Sequence, residues 1–161
     1  MMILNKETNS WLLQELNSFV SNDECDTLIN YAKDKLKPST VLADKGREID
    51  IHYRNCSEAC INEGDDKEVD RIISNIKEKL SSITELPIEN QEPYMILNYQ
   101  EGQFYLPHYD WFDEEKKYYE KEKERGRQRL FSILVYLDNV EDGGGTGYPN
   151  LNYICRPEKG K

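Results

Sequence analysis

The sequence predicts an α+β fold, with helices backing one face of a mainly antiparallel sheet. Helix signals gather in the first half of the chain and strand signals in the second. A glycine triplet, Gly143-Gly144-Gly145, then breaks the run of extended segments. Helices and strands segregated along a chain in this way point to an α+β layer arrangement.

Element by element, Trp11 to Leu16 is apolar enough for a short strand, with a helix as the alternative. Ser21-Asn-Asp-Glu24 is a capping box, in which the serine hydroxyl takes the Glu24 amide and Glu24 reaches back. The helix it opens carries Cys25, Leu28, Ile29, Ala32 and Leu36 on one face, and Pro38 lies beyond its end. A second helix follows Asp65 and Asp66, with Val69, Ile72, Ile73, Ile76 and Leu80 at helical spacing as core. Tyr94 to Tyr99 reads as a strand, and Glu101-Gly102 as a turn. Gln103 to Asp110 is extended, and Asp113 to Arg125 is a charged helical excursion. Arg129 to Leu137, rich in branched and aromatic residues, predicts a central strand. Tyr153 to Pro157 starts another.

A chain of 161 residues suits one domain with a real core. No repeat, low-complexity tract or linker divides it, so residues 1–161 are expected to form a single domain. Its 21 Lys and Arg against 31 Asp and Glu leave a net charge of -10, and no basic stripe stands out. Nucleic acid is therefore not an expected partner, because phosphate backbones are gripped by a local surplus of positive charge. A substrate peptide rich in Lys or Arg would suit the acidic surface. The N-terminus lacks a basic start followed by a long apolar run. No stretch reaches the roughly 20 apolar residues of a membrane span. The expectation is a cytoplasmic protein with no membrane partner. Cys25, Cys56, Cys60 and Cys155 read as free thiols, and no second Cys or His pair completes a zinc site beside Cys56 and Cys60.

The chemistry-bearing feature is His108-Tyr-Asp110. In an extended segment residues i and i+2 point to one face, so an imidazole and a carboxylate project toward one point. That is two-thirds of a 2-His-1-carboxylate facial triad, which holds iron(II) and leaves positions open for a co-substrate and dioxygen. A strand-end histidine bonded to a neighbouring aspartate is the plainer reading of the same pair.

Context decides between them. The stretch from Asn98 through Gly102, Tyr105 and Pro107 to Phe112 resembles the metal-binding segment of prolyl 4-hydroxylases, iron(II)/2-oxoglutarate-dependent oxygenases. Arg129 to Thr146 followed by Tyr148-Pro149 is similar to the same family, as are Asn17 to Asp26 and Leu36 to Val41. The resemblance spans roughly residues 17 to 160 and is weakest over 42 to 90. It implies a double-stranded β-helix, or jelly-roll, with N-terminal supporting helices. It implies His108 and Asp110 as metal ligands, and Tyr99 and Thr146 as hydroxyls lining the 2-oxoglutarate pocket. Tyr105 and Arg129 match positions that orient a substrate proline. The resemblance further implies oxygenase activity toward prolyl residues of a peptide or protein, with decarboxylation of 2-oxoglutarate to succinate and support by ascorbate. A free amino acid or a lysyl side chain is the alternative substrate.

The chain also departs from the family. The third ligand, a histidine well downstream of the Gly-Gly-x-Thr segment, and the basic residue that anchors 2-oxoglutarate about ten residues later are not in these 161 residues. Lys159 and Lys161 do not have the spacing to replace that anchor, and His52, upstream, is a poor third ligand. The expectation is a domain truncated at its C-terminus, without its last core strands. Three readings follow: a fragment inactive without a missing C-terminal segment, one piece of a split enzyme, or a non-catalytic peptide-binding relative.

Overall fold

The computed structural model describes residues 2–4, 11–124 and 128–161. In chain order the elements are β1 (Met2–Leu4), β2 (Trp11–Gln14), α1 (Asn22–Ala32), β3 (Lys37–Pro38), β4 (Val41–Ala43), β5 (Gly46–Glu48), β6 (Ser57–Cys60), α2 (Lys67–Thr84), β7 (Met95–Asn98), α3 (Tyr119–Glu124), β8 (Thr146–Tyr148) and β9 (Tyr153–Cys155). The chain divides into two compact units. The first comprises Met1–Tyr31, Glu63–Glu92 and Val135–Lys161, the second Ala32–Asn62 and Pro93–Leu134.

In the first unit the capping box forms as expected. Ser21 N donates to Glu24 Oε2 at 3.0 Å, and Glu24 N donates to Ser21 Oγ at 3.3 Å. The helix α1 buries Cys25 and Leu28 and stops at Ala32, earlier than Leu36. Helix α2 is capped by Asp66, whose carboxylate accepts from Glu68 N and Val69 N, and it ends on Glu85 in a left-handed conformation. All five aliphatic residues foreseen on its inner face, Val69, Ile72, Ile73, Ile76 and Leu80, are buried. β1 pairs with β2 and β8 with β9, both antiparallel, so Trp11 to Gln14 is a strand rather than a helix.

Gly160 closes this unit. Its carbonyl accepts from Phe19 N at 2.7 Å and Val20 N at 3.1 Å, and its N–H donates to the Tyr136 carbonyl at 2.8 Å. Its φ is +83°, and a Cβ here would lie 2.2 Å from the Val20 carbonyl oxygen, so only glycine fits. Nearby, Glu15 gathers three donors: Tyr153 Oη at 2.9 Å, Cys155 Sγ at 2.8 Å and Lys161 Nζ at 3.5 Å. The Cys155 hydrogen bond, helped by Tyr153 and Lys161, holds the Glu15 carboxyl below its ordinary range.

In the second unit β3, β6 and β7 form an antiparallel sheet in that order, with Ser57 opposite Asn98 and Cys60 opposite Met95. β4 and β5 form a separate hairpin. The buried side chains here include Ser39, Arg54, Cys56, Ala59, Ile96 and Phe112.

The mixture of helices with antiparallel strands agrees with the α+β expectation, and the described strands pair in four small sheets. Two expectations need correction. Arg129 to Leu137 is not a strand: among the described residues it has no neighbouring ladder, and a strand exists only through its pairing. Leu130 and Leu134 are accordingly 71% and 52% exposed. The excursion from Asp113 is helical only over Tyr119–Glu124, with turns before it, and its last residue, Arg125, lies outside the described residues.

Candidate functional site

The His-x-Asp segment is held in the second unit by a short ladder to residues 53–55. Asn55 N donates to the Phe104 carbonyl at 3.2 Å, and Leu106 N donates to the Tyr53 carbonyl at 3.0 Å. Arg54 and Tyr105 form the antiparallel bridge between these bonds. Phe104 N is also taken by Asn55 Oδ1 at 2.6 Å. Pro107 has no N–H to continue the ladder, so the chain leaves it there and presents His108.

His108 Nδ1 lies 2.8 Å from the Leu106 carbonyl, which as a pure acceptor requires the proton on that nitrogen. Nε2 then turns a lone pair toward Asp110 Oδ1 at 3.4 Å. Two electron-rich atoms held face to face are stabilised by a cation between them, a proton or a metal ion. With a proton, the Asp110 carboxylate raises the His108 pKa above its ordinary 6.5, and His108, followed by Ser132, holds Asp110 below 3.8. With a metal, ligand bonds of about 2 Å let one ion reach both atoms. The donor set therefore fits one edge of an iron(II) site. Among the described residues no third His, Cys, Asp or Glu joins the pair.

Three further residues buttress it. The Tyr105 ring stacks on the His108 imidazole with centroids 3.7 Å apart and planes 20° from parallel. The Arg54 guanidinium sits 4.7 Å from the Tyr105 centroid, anchored by Thr40 O at 3.1 Å and Cys56 Sγ at 3.3 Å. Arg129 donates from Nη1 to the Asp110 carbonyl at 3.1 Å and covers the Phe112 ring at 4.7 Å. Arg129 thus bears on the backbone of the acidic ligand candidate.

Tyr99 follows β7 in the same unit. Burial, with Cys56 beside it, drives its phenol pKa upward, so it stays a neutral donor at neutral pH. Thr146 belongs to the first unit, where its hydroxyl accepts from Tyr136 Oη at 2.6 Å; burial pushes the Tyr136 phenol up to about 12. The basic residues near the end are engaged: Lys159 pairs with Asp26, and Lys161 with Glu15 and Glu158. His52 is exposed, and its N–H is bound to Asp50 Oδ1.

Sequence reasoning missed Arg54 and Ser132. Arg54 lies in the stretch where the motif resemblance is weakest, and only its 6% exposure marks it as structural. It also missed that Tyr109 and Trp111 stack on each other, centroids 4.3 Å apart and planes 3° from parallel, while staying 66% and 55% exposed. Both line the same cleft as His108.

Comparison with known proteins covers the segment that carries this pair. Residues 94–160 match the 2OG-Fe(II) oxygenase superfamily, a span that includes His108 and Asp110. The family resemblance carried by the motifs is therefore borne out: this segment matches the iron(II)/2-oxoglutarate oxygenase superfamily. More narrowly, the chain is related to prolyl 4-hydroxylases. It is 42% identical over 134 residues to probable prolyl 4-hydroxylase 6 of Arabidopsis thaliana, covering 82% of this chain and 43% of that protein. It is 37% identical over 133 residues to prolyl 4-hydroxylase 5 of the same plant, with the same coverages. The chain thus spans less than half the length of these curated relatives.

Proposed function

We propose that this chain supplies one edge of the iron site and part of the substrate surface of a 2-oxoglutarate-dependent dioxygenase that hydroxylates prolyl residues in peptides or proteins. The observation that carries the reading is the His108 Nε2 to Asp110 Oδ1 approach of 3.4 Å, with Nδ1 committed to the Leu106 carbonyl. Bound iron(II) with 2-oxoglutarate supplies the oxidising power that places a hydroxyl on an unactivated C–H bond.

The residues of this chain bind and orient. His108 and Asp110 would hold the metal, Tyr105 and Arg54 would fix the imidazole plane, and Arg129 would fix the Asp110 backbone. Tyr99 would donate its phenol to the co-substrate carboxylate, with Thr146 as a second hydroxyl. The two compact units are read as parts of one jelly-roll domain, because the superfamily match runs through both. Ascorbate as a reductant and a cytoplasmic setting complete the proposal.

A non-catalytic peptide-binding role, or activity completed by residues outside this chain, is the second reading. It is favoured by the absence of a third ligand among the described residues. Incubation of the chain with iron(II), 2-oxoglutarate, ascorbate and a proline-rich peptide separates the two. Succinate release with addition of one oxygen to a prolyl residue supports the first reading. Peptide binding without either product supports the second.

A further inference from the structure

Beside His108 an open cleft of about 430 Å³ runs between the β4–β5 hairpin and the segment after Asp110. It is lined by Tyr109 and Trp111, an exposed stacked pair that offers flat aromatic surface to a ligand. It is also lined by Asp44, Glu48 and Asp113, against a single ammonium, that of Lys116. All of these residues belong to the second unit.

Two of the three carboxylates are tied to backbone N–H groups. Asp44 sits in the hairpin turn and accepts from Lys117 N at 3.0 Å. Asp113 accepts from Glu115 N at 3.0 Å, and Glu48 ends β5, its backbone paired with Val41. A carboxylate that accepts one backbone N–H still has a second oxygen for a ligand. The cleft therefore combines an apolar aromatic shelf with a local excess of negative charge. That combination attracts a basic side chain both by Coulomb attraction and by cation–π contact.

We propose that the peptide bound at this site carries a lysine or arginine within about three residues of the proline presented to His108. His108 itself lines the cleft, so a basic side chain one to three residues from the proline, at about 3.1 Å of rise per residue in an extended or polyproline-type chain, stays within roughly 9 Å of it. This selection of basic-flanked prolines rests on the prolyl-peptide reading above and deepens it. The overall charge of -10 reinforces it by steering cationic peptides to the protein.

The test is the affinity of dye-labelled nine-residue peptides for the full chain, measured by fluorescence anisotropy. One central proline is flanked by Lys, Gln or Glu in otherwise identical peptides. The Lys peptide is expected to bind about tenfold more tightly than the Gln peptide in low salt, with the Glu peptide weakest; the difference should shrink in 0.5 M NaCl, where the Debye length falls to a few Å. Glu48→Gln, on an exposed side chain, should cut the Lys preference about threefold. Equal affinity of the Lys and Gln peptides overturns the proposal, as does a Lys preference that ignores both salt and Glu48→Gln. Iron(II) and 2-oxoglutarate binding, read separately by the visible charge-transfer band, reports on the oxygenase reading. That reading survives if the band forms while the Lys preference is missing, and it falls if the band is missing while the preference holds.

Discussion

Tyr105 lies flat against His108, ring centroids 3.7 Å apart, and carries the Arg54 guanidinium 4.7 Å from its own centroid. A metal-binding imidazole needs its plane fixed before the ion arrives, because a freely rotating ring loses entropy on binding. Here the plane is set by the stack and by the Leu106 carbonyl together. Tyr105→Ala should weaken iron(II) binding about tenfold, within the range seen for residues that orient ligands. Tyr105→Phe keeps the stack and should retain nearly all the affinity. Anaerobic iron(II) titration of the two variants distinguishes an orienting ring from a phenol that acts through its hydroxyl.

Gly160 should tolerate no side chain. Gly160→Ala combines a left-handed φ of +83° with a Cβ placed 2.2 Å from the Val20 carbonyl. The left-handed backbone alone costs about 1–3 kcal/mol, and the overlap adds to it. A urea melt should show the midpoint falling, or the chain failing to fold.

The Glu15 cluster should stabilise the protein in a pH-dependent way. The folded pKa of Glu15 is lowered from 4.5, so its contribution is fully present above about pH 4.5 and is lost as pH falls through the folded value. Glu15→Gln should therefore cost stability at neutral pH, about 1–3 kcal/mol by the usual worth of hydrogen bonds to a charged group. It should make no difference once the pH is below the folded pKa. Urea midpoints measured for both proteins at neutral and strongly acid pH read this directly.

The stretch from Leu130 to Leu134 should drive self-association. Leu130, Phe131, Ile133 and Leu134 are all exposed, and their backbone pairs with no strand among the described residues. Extended apolar segments with free edges recruit other chains. Phe131→Lys should lower the light scattering of concentrated samples and leave the urea midpoint unchanged.

The sequence was most legible where signals were local. The Ser21–Glu24 box and the five inward positions of α2 depend on neighbours within a turn or two, and they formed as read. Arg129 to Leu137 misled because β propensity describes a surface suited to pairing, and pairing depends on residues elsewhere. In the site, His108 and Asp110 were legible because strand alternation alone brings them to one face. Arg54 was not, since its place on Tyr105 follows from a register between segments about 50 residues apart. The Tyr109–Trp111 stack has the same i to i+2 spacing as the His–Asp pair and was there to be read.

The most direct test of the central claim, that His108 and Asp110 form one edge of an iron site, is anaerobic iron(II) titration in the presence of 2-oxoglutarate. The unaltered chain is compared with His108→Ala and Asp110→Ala. The account predicts a saturable visible band for the unaltered chain and its loss in both variants, with circular dichroism unchanged because both side chains are partly exposed. An identical band in either variant, or no band in the unaltered chain, would contradict it.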